Sequence, residues 1–583
     1  MDKHTRTGLS IVGAAVAVGL AGDSLLRSFP WGLNVPIMGA LCVAALVFVK
    51  LRIGKEPFSV REYALLAASL FFASWFAIRD SEALLFLNAL AILLIGALLL
   101  LPSIKLPIKG SGVIHYVFSG IAMGLSMALL PAVVLTKDLR WNSLVKIGGS
   151  QKALLAVRGV LIAAPLLLVF GALFAAADAA FERLVTNTFN VVPQELALHA
   201  FFTAFFAWPV AGYLRALTAG VPLDGDSLDG EQKGEEPETS PRDFSKGPVE
   251  SVTEARKEET ADPPAFGARH IPSITNFENE EEKETVPAPS EPAEKKTDRT
   301  WTWRDLNNSF LPDFLTVGSV EVGIVLGSLN LLFLGFVILQ LPYLFGGMEL
   351  VQNQTGLKLA EYARRGFGEL FFASMLVLPV LLVLHWLIRR ESDRAMSLFR
   401  YLAAIQIGLL FVIMMSAFQR MLLLTGELGY GLTAGRFYPM AFMAWLAVVF
   451  LLFGYTVLRG QRSRFAWNAA LSALAMVAVL NFVNPDDYIV RKNLELMREG
   501  RPFDAMYHIE LSADAIPAVL EGLNELDESQ REIVLKYLIR DECGNAMMND
   551  LRVWNYSRWQ LANLGAMPGN RGLNGCRSIL ELK

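Results

Sequence analysis

Three cysteines in 583 residues are too few for a disulfide framework. Cys42 lies inside an apolar run, and Cys543 and Cys576 can pair only if the C-terminal region meets an oxidising compartment. Histidine is almost as scarce. The six (His4, His115, His199, His270, His385 and His508) are scattered without metal-ligand spacing, so no metal is expected. His115, His199 and His385 lie near the ends of apolar runs, where capping or an interfacial contact is the simplest role. Charge is low too, at 19% Asp, Glu, Lys and Arg against about 25% in soluble domains. The chain has no HExxH, GxSxG, Walker A or CxxC segment. The glycines around Gly429-Tyr430-Gly431 follow no strand, so they are no dinucleotide fingerprint. Together these absences exclude a soluble enzyme and a secreted disulfide scaffold, and no cofactor is expected. A net charge of −4 without a basic block argues against nucleic acid as a partner.

Apolar length is what the chain has in excess. Hydrophobic residues make up 53%, and they fall into runs too long for one globular core. Twelve runs qualify as spans, at 9–26, 34–49, 63–78, 83–101, 114–135, 158–177 and 195–219, then 317–345, 367–388, 399–424, 438–458 and 466–483. The first and third are short. The expected fold is therefore all-α, a polytopic transmembrane bundle of about twelve helices. Its expected divisions are N-terminal spans over 1–220, an acidic linker over 221–300, further spans over 301–484 and a helical extramembrane domain over 485–583.

Charge follows these divisions. The linker carries 21 Asp/Glu against 10 Lys/Arg, a net of −11, and its prolines and Glu280-Glu281-Glu282 run predict disorder. Residues 485–583 are net −4, which leaves the membrane core at +11 and suits a bilayer with anionic headgroups as its partner. In the last region Asp527 and Gln530 predict an N-cap and capping box, and Trp554, Tyr556 and Trp559 a further helix. That region is the place to expect a protein partner. Seven spans before the linker and five after it predict that both termini share one side and the linker faces the other. Lys and Arg then divide evenly. Lys3 and Arg6 favour an inside N-terminus, while Arg389, Arg390, Arg394 and Arg400 with Arg459, Arg462 and Arg464 favour a cytoplasmic linker, the preferred orientation.

Polar residues within or beside the spans are the candidate site, since charge in lipid is costly. Glu361, Arg365 and Glu369 recur at i, i+4 and i+8 on one helical face, beside Arg364. Arg420 ends a run from Leu402 and requires a partner, with Glu369 or Glu427 the candidates. Asn330 and Gln340 are amides in the eighth span, Gly323 and Gly327 form a GxxxG, and Asp178 closes the sixth span. Arg79-Asp80 is read as a plain polar turn.

Five segments also resemble a known family. They are 330–347 (NLLFLGFVILQLPYLFGG), 361–370 (EYARRGFGEL), 430–436 (YGLTAGR), the RG…P…AD…F pattern of 158–181, and Trp554-Asn555-Tyr556-Ser557-Arg558-Trp559. They are similar to a bacterial multi-pass family called domain of unknown function 4173, close to 4153. The resemblance implies a multi-pass protein of the plasma (inner) membrane and brings no activity with it. Three functions remain open: a scaffold or sensor for an envelope process, a transporter or lipid-handling protein with a polar path near Glu361, Arg365, Glu369 and Arg420, and a membrane enzyme acting on a lipid-linked substrate. The first is preferred, because no convergent acid–base pair is visible and the seven-plus-five split shows no inverted repeat.

Overall fold

Local signals set where the helices begin and end. Ser59 Oγ accepts the Glu62 N–H at 3.3 Å while the Glu62 carboxylate accepts the Ser59 N–H at 2.7 Å, a reciprocal cap that opens one helix. Asn484, in the left-handed region at φ 53°, closes another, and Pro485 starts the next at the position where its missing N–H costs nothing. The computed structural model describes residues 3–53, 58–139, 193–220, 316–345, 359–388, 393–426, 431–537 and 550–562. Residues 222–301 separate from the rest as a second unit.

The described helices are α1 (Lys3–Leu26), α2 (Asn34–Ile53), α3 (Val60–Ser74), α4 (Glu82–Leu100), α5 (Val113–Val133), α6 (Pro193–Ala219), α7 (Ser319–Phe345), α8 (Leu359–Leu387), α9 (Asp393–Thr425), α10 (Ala434–Thr456) and α11 (Arg462–Val483). Shorter ones follow: α12 (Pro485–Arg498), α13 (Ala505–Ile509), α14 (Ile516–Glu521), α15 (Glu528–Tyr537) and α16 (Tyr556–Ala562). Among the described residues there is no strand, and the one isolated bridge pairs Val317 with Ile388. The fold is an all-α polytopic bundle.

Ten of these helices are long and apolar enough to cross a bilayer, rather than the twelve read from the sequence. The 158–177 run lies outside the described residues, and the 63–78 run is the 15-residue α3 followed by a 3-10 turn over Trp75–Ala77. At about 1.5 Å per residue α3 alone is only about 22 Å long, short of the hydrocarbon thickness. Large apolar side chains such as Leu20, Phe48, Phe86, Phe201, Phe372 and Leu451 point outward, as lipid-facing residues do. Helices α7–α11 close around Phe399, Phe450 and Phe453, all fully buried, and α12–α15 enclose a separate core of Val490, Ile509, Val519 and Val534.

The two ends of the bundle are distinct. At one end lie the α1–α2 and α3–α4 turns, the start of α10 and the end of α11, all touched by residues 485–562. At the other lie the start of α1, the α2–α3 turn held by Lys50–Glu62 at 2.9 Å, and the end of α6 beside Ser103. The same end holds Val317, Ile388 and the α10–α11 turn. Asn88 and Asn481 align the halves through a reciprocal, fully buried amide pair at 2.9 and 2.8 Å. Because α1 ends at the docked C-terminal helices, its start lies about 36 Å away. This corrects the expected topology: the start of α1, the end of α6 and the start of α7 share one end, and the C-terminal helices occupy the other. Both runs flanking the linker, 195–219 and 317–345, are spanning helices as expected.

Candidate functional site

The densest buried polar network lies beneath the C-terminal helices. Asp514, whose side chain is fully buried, precedes α14. Its Oδ2 accepts the backbone N–H groups of Asp80 at 2.7 Å and Ser81 at 2.9 Å. Its Oδ1 meets the Ser557 hydroxyl and, at 3.5 Å, the Arg79 guanidinium. Arg79 in turn donates to the Asn481 carbonyl at 3.0 Å. On α16, Arg558 forms an ion pair with Asp80 at 2.9 Å and donates to the Trp31 carbonyl. Asn555 caps α16 by accepting the Arg558 N–H at 3.2 Å, and its amide donates to the Phe76 and Arg79 carbonyls at 3.0 and 2.8 Å. One side chain thus caps its own helix and grips the α3–α4 turn.

A second grip holds α12 and α13 against the start of α10. Asn493 accepts the Leu432 N–H and donates to the Leu432 carbonyl, both at 2.7 Å. Its other amide proton points at His508 Nε2, 2.6 Å away. That nitrogen must therefore accept, which leaves Nδ1–H to donate to the Asp504 carbonyl. Burial holds His508 below the ordinary histidine range, in agreement with this neutral tautomer. Gly431 adopts φ 68°, and a Cβ there would lie 2.7 Å from Asn493 Oδ1, so glycine is required.

Three carboxylates (Asp80, Asp486 and Asp514) face two guanidiniums (Arg79 and Arg558) in this network. Burial raises Asp80 above the usual carboxylate range, opposed by Arg558 and reinforced by Asp514. Burial raises Asp486 as well, against its hydrogen bond from Ser512 at 2.6 Å. Most donors and acceptors here satisfy one another, Arg558 Nε meeting Asp80 as an ion pair without a hydrogen bond, and no nucleophile is paired with a free base. Among the described residues no group of three His, Cys, Asp or Glu is placed to hold a metal. The chemistry available here is therefore adhesion of the C-terminal helices to the bundle.

The predicted site residues fall elsewhere. Glu361, Arg364, Arg365 and Glu369 sit on the first three turns of α8 and Gln340 on α7, but their side chains lie outside the described residues, as do Glu427 and Asp178. Arg420 is half-buried near the end of α9 and engaged. Asn330 donates to the Leu402 carbonyl at 3.0 Å, joining α7 to α9, and Gly323 lies against Leu398. His199 pairs with Asp23 across α6 and α1, and His115 Nδ1 accepts the Gly112 N–H at 3.1 Å as a cap. Asp527 does cap α15 through the Gln530 N–H at 2.8 Å. The Gln530 side chain, however, takes the Ala505 N–H instead of closing the box. Arg79-Asp80, read as a plain turn, is the centre of the network. A charged pair between two apolar runs was its only signal, and Asp514 lies more than four hundred residues away.

These features define a polytopic α-helical membrane protein whose C-terminal helices are fastened to one end of its bundle. The chain belongs to the family described as domain of unknown function DUF4153, which matches residues 66–246 and 282–522. That is the neighbouring family of the resemblance, rather than 4173 itself. No curated protein and no solved structure matches the chain.

Proposed function

We propose that the protein is a plasma-membrane scaffold or sensor that transmits events at its C-terminal helices to the bundle. The observation that carries this reading is the Asp514 network, which makes α12–α16 a rigid extension of α3, α4, α10 and α11. The transporter reading needs a polar path. Phe399, Phe450 and Phe453 fill the core of α7–α11 beside the buried polar side chains Asn330, Gln406 and Ser416, while the Glu361, Arg365 and Glu369 side chains lie outside the described residues.

Orientation belongs to the same proposal. Arg6, Lys50, Arg52, Arg61, Lys105 and Lys109, with Arg394, Arg400, Arg459, Arg462 and Arg464, gather at the end opposite the C-terminal helices. At the docking end the bundle turns carry Arg27, Arg79 and Arg436. By the positive-inside rule the first end faces the cytoplasm and α12–α16 face outward. The two charge signals that conflicted under the expected parity now agree.

A complementation experiment tests the function. Cells lacking the gene are challenged with detergent or osmotic shift, then supplied with wild-type protein or with Asp514→Ala carrying Ser557→Ala. The proposal expects the variant to insert at normal levels yet leave the cells as sensitive as the deletion. Full rescue by the variant would contradict it.

A further inference from the structure

Most arginines of the docking end have carboxylate partners, Arg27 with Asp23, Arg79 with Asp514, Arg491 with Asp487 and Glu521, Arg552 with Asp550, and Arg558 with Asp80, whereas Arg436 and Arg531 are held by backbone carbonyls. At the opposite end, one corner breaks this pattern. Arg400 on α9 lies against Gly460 in the α10–α11 turn, its guanidinium 3.6 Å from where a Cβ would stand. Arg459 stacks over the Tyr455 ring at 4.7 Å, and Arg464 reaches no acid, donating to Gln461 Oε1 at 3.0 Å. Among the described residues none of these three has a carboxylate within ion-pair distance. Arg462 adds a fourth charge, and both it and Arg400 lie within electrostatic reach of His385. The acid on α9 is Asp393, two turns from Arg400 and about 10 Å along the axis.

Like charges drawn together by folding repel unless an anion joins them. The surroundings identify which kind. Tyr401 and Tyr455 are 74% and 62% exposed beside the arginines, where tyrosines sit at the headgroup level of a bilayer. Guanidinium forks match phosphate oxygens two at a time, and the first turn of α11, whose Gln461 makes no side-chain cap, adds N–H donors. We propose that this corner, formed by Arg400, Arg459, Arg462 and Arg464, binds the phosphodiester headgroup of an anionic phospholipid. The proposed orientation supplies the leaflet, since basic clusters at cytoplasmic helix ends meet anionic lipid. Binding itself does not depend on that orientation.

The test uses the purified full chain in neutral detergent. Thermal unfolding is followed with added phosphatidylglycerol, phosphatidylcholine or inorganic phosphate, and native mass spectrometry counts retained lipid. Phosphatidylglycerol is expected to raise the midpoint and remain bound, with phosphatidylcholine and inorganic phosphate doing neither. Arg400→Gln with Arg464→Gln should lose most of that shift and most of the adduct. Arg61→Gln, at the same end but away from the corner, should keep both. The single variant Arg400→Gln, read by adduct count, covers poor folding of the pair. An equal response to phosphatidylcholine, an equal response to inorganic phosphate, or undiminished lipid retention by the variants would overturn the proposal.

Discussion

Asp514 Oδ2 lies 2.9 Å from the backbone nitrogen of Ser81, the residue just before α4, and 2.7 Å from that of Asp80. A carboxylate taking consecutive N–H groups at a helix start also meets the positive end of the helix dipole. Removing one member of a buried charged network costs about 3–5 kcal/mol, because its partners are stranded. Asp514→Ala should therefore release α12–α16 at denaturant concentrations that leave the wild type docked, whereas Asp514→Asn, which keeps an acceptor, should lose less. Protease accessibility of the Asn524–Glu532 region during urea titration reads the difference.

Docking should also depend on pH, and the sign is set by the raised carboxylates. Asp80 and Asp486 hold protons in the folded state at pH values where the unfolded chain has released them. Stability from these groups is fully present below the ordinary carboxylate pKa and is lost as pH rises through their raised values. The Asp486→Asn variant keeps an acceptor for Ser512 and removes one titration. Its melting temperature is expected to fall less steeply than the wild type's as pH rises from acidic towards neutral, and parallel curves would refute this.

Gly32 tests the docking from the bundle side. A Cβ there would stand 2.7 Å from the Val553 carbonyl oxygen and against that of Trp554, while Leu33 donates its N–H to the same Trp554 carbonyl at 2.8 Å. Gly32→Val should push the 550–562 segment away and leave α1 and α2 inserted. Trp554 and Trp559 fluorescence should change while helical content by circular dichroism stays constant.

Topology is open to labelling in a background with Cys42, Cys543 and Cys576 replaced by serine. An impermeant maleimide should reach Glu528→Cys in intact cells and Arg61→Cys only after permeabilisation. The reverse pattern would invert the orientation and leave the docking network untouched.

Much of the architecture was legible because its signals are local. Apolar length identified the spans, and Asp527 marked a helix start by its own chemistry. The docking network was not legible. Asp514 sits in an ordinary Ser-Ala-Asp-Ala stretch, and nothing near it in sequence shows that Arg79, Asp80 and Ser81 will be its partners. The Glu361–Glu369 ladder drew notice because its charges are neighbours on one helix. A network assembled from four separate helix ends has no such periodicity.

The central claim, that Asp514 fastens the C-terminal helices to the bundle, is tested most directly at the amides it accepts. Hydrogen exchange of a peptide covering Arg79–Leu84 can be followed by mass spectrometry in the wild type and in Asp514→Ala. At Asp80 and Ser81 the only backbone N–H acceptor seen among the described residues is the Asp514 carboxylate. The account predicts slow exchange of these two amides in the wild type and fast exchange in the variant, with α4 beyond them unchanged. Fast exchange in the wild type, or equal protection in both proteins, would contradict it.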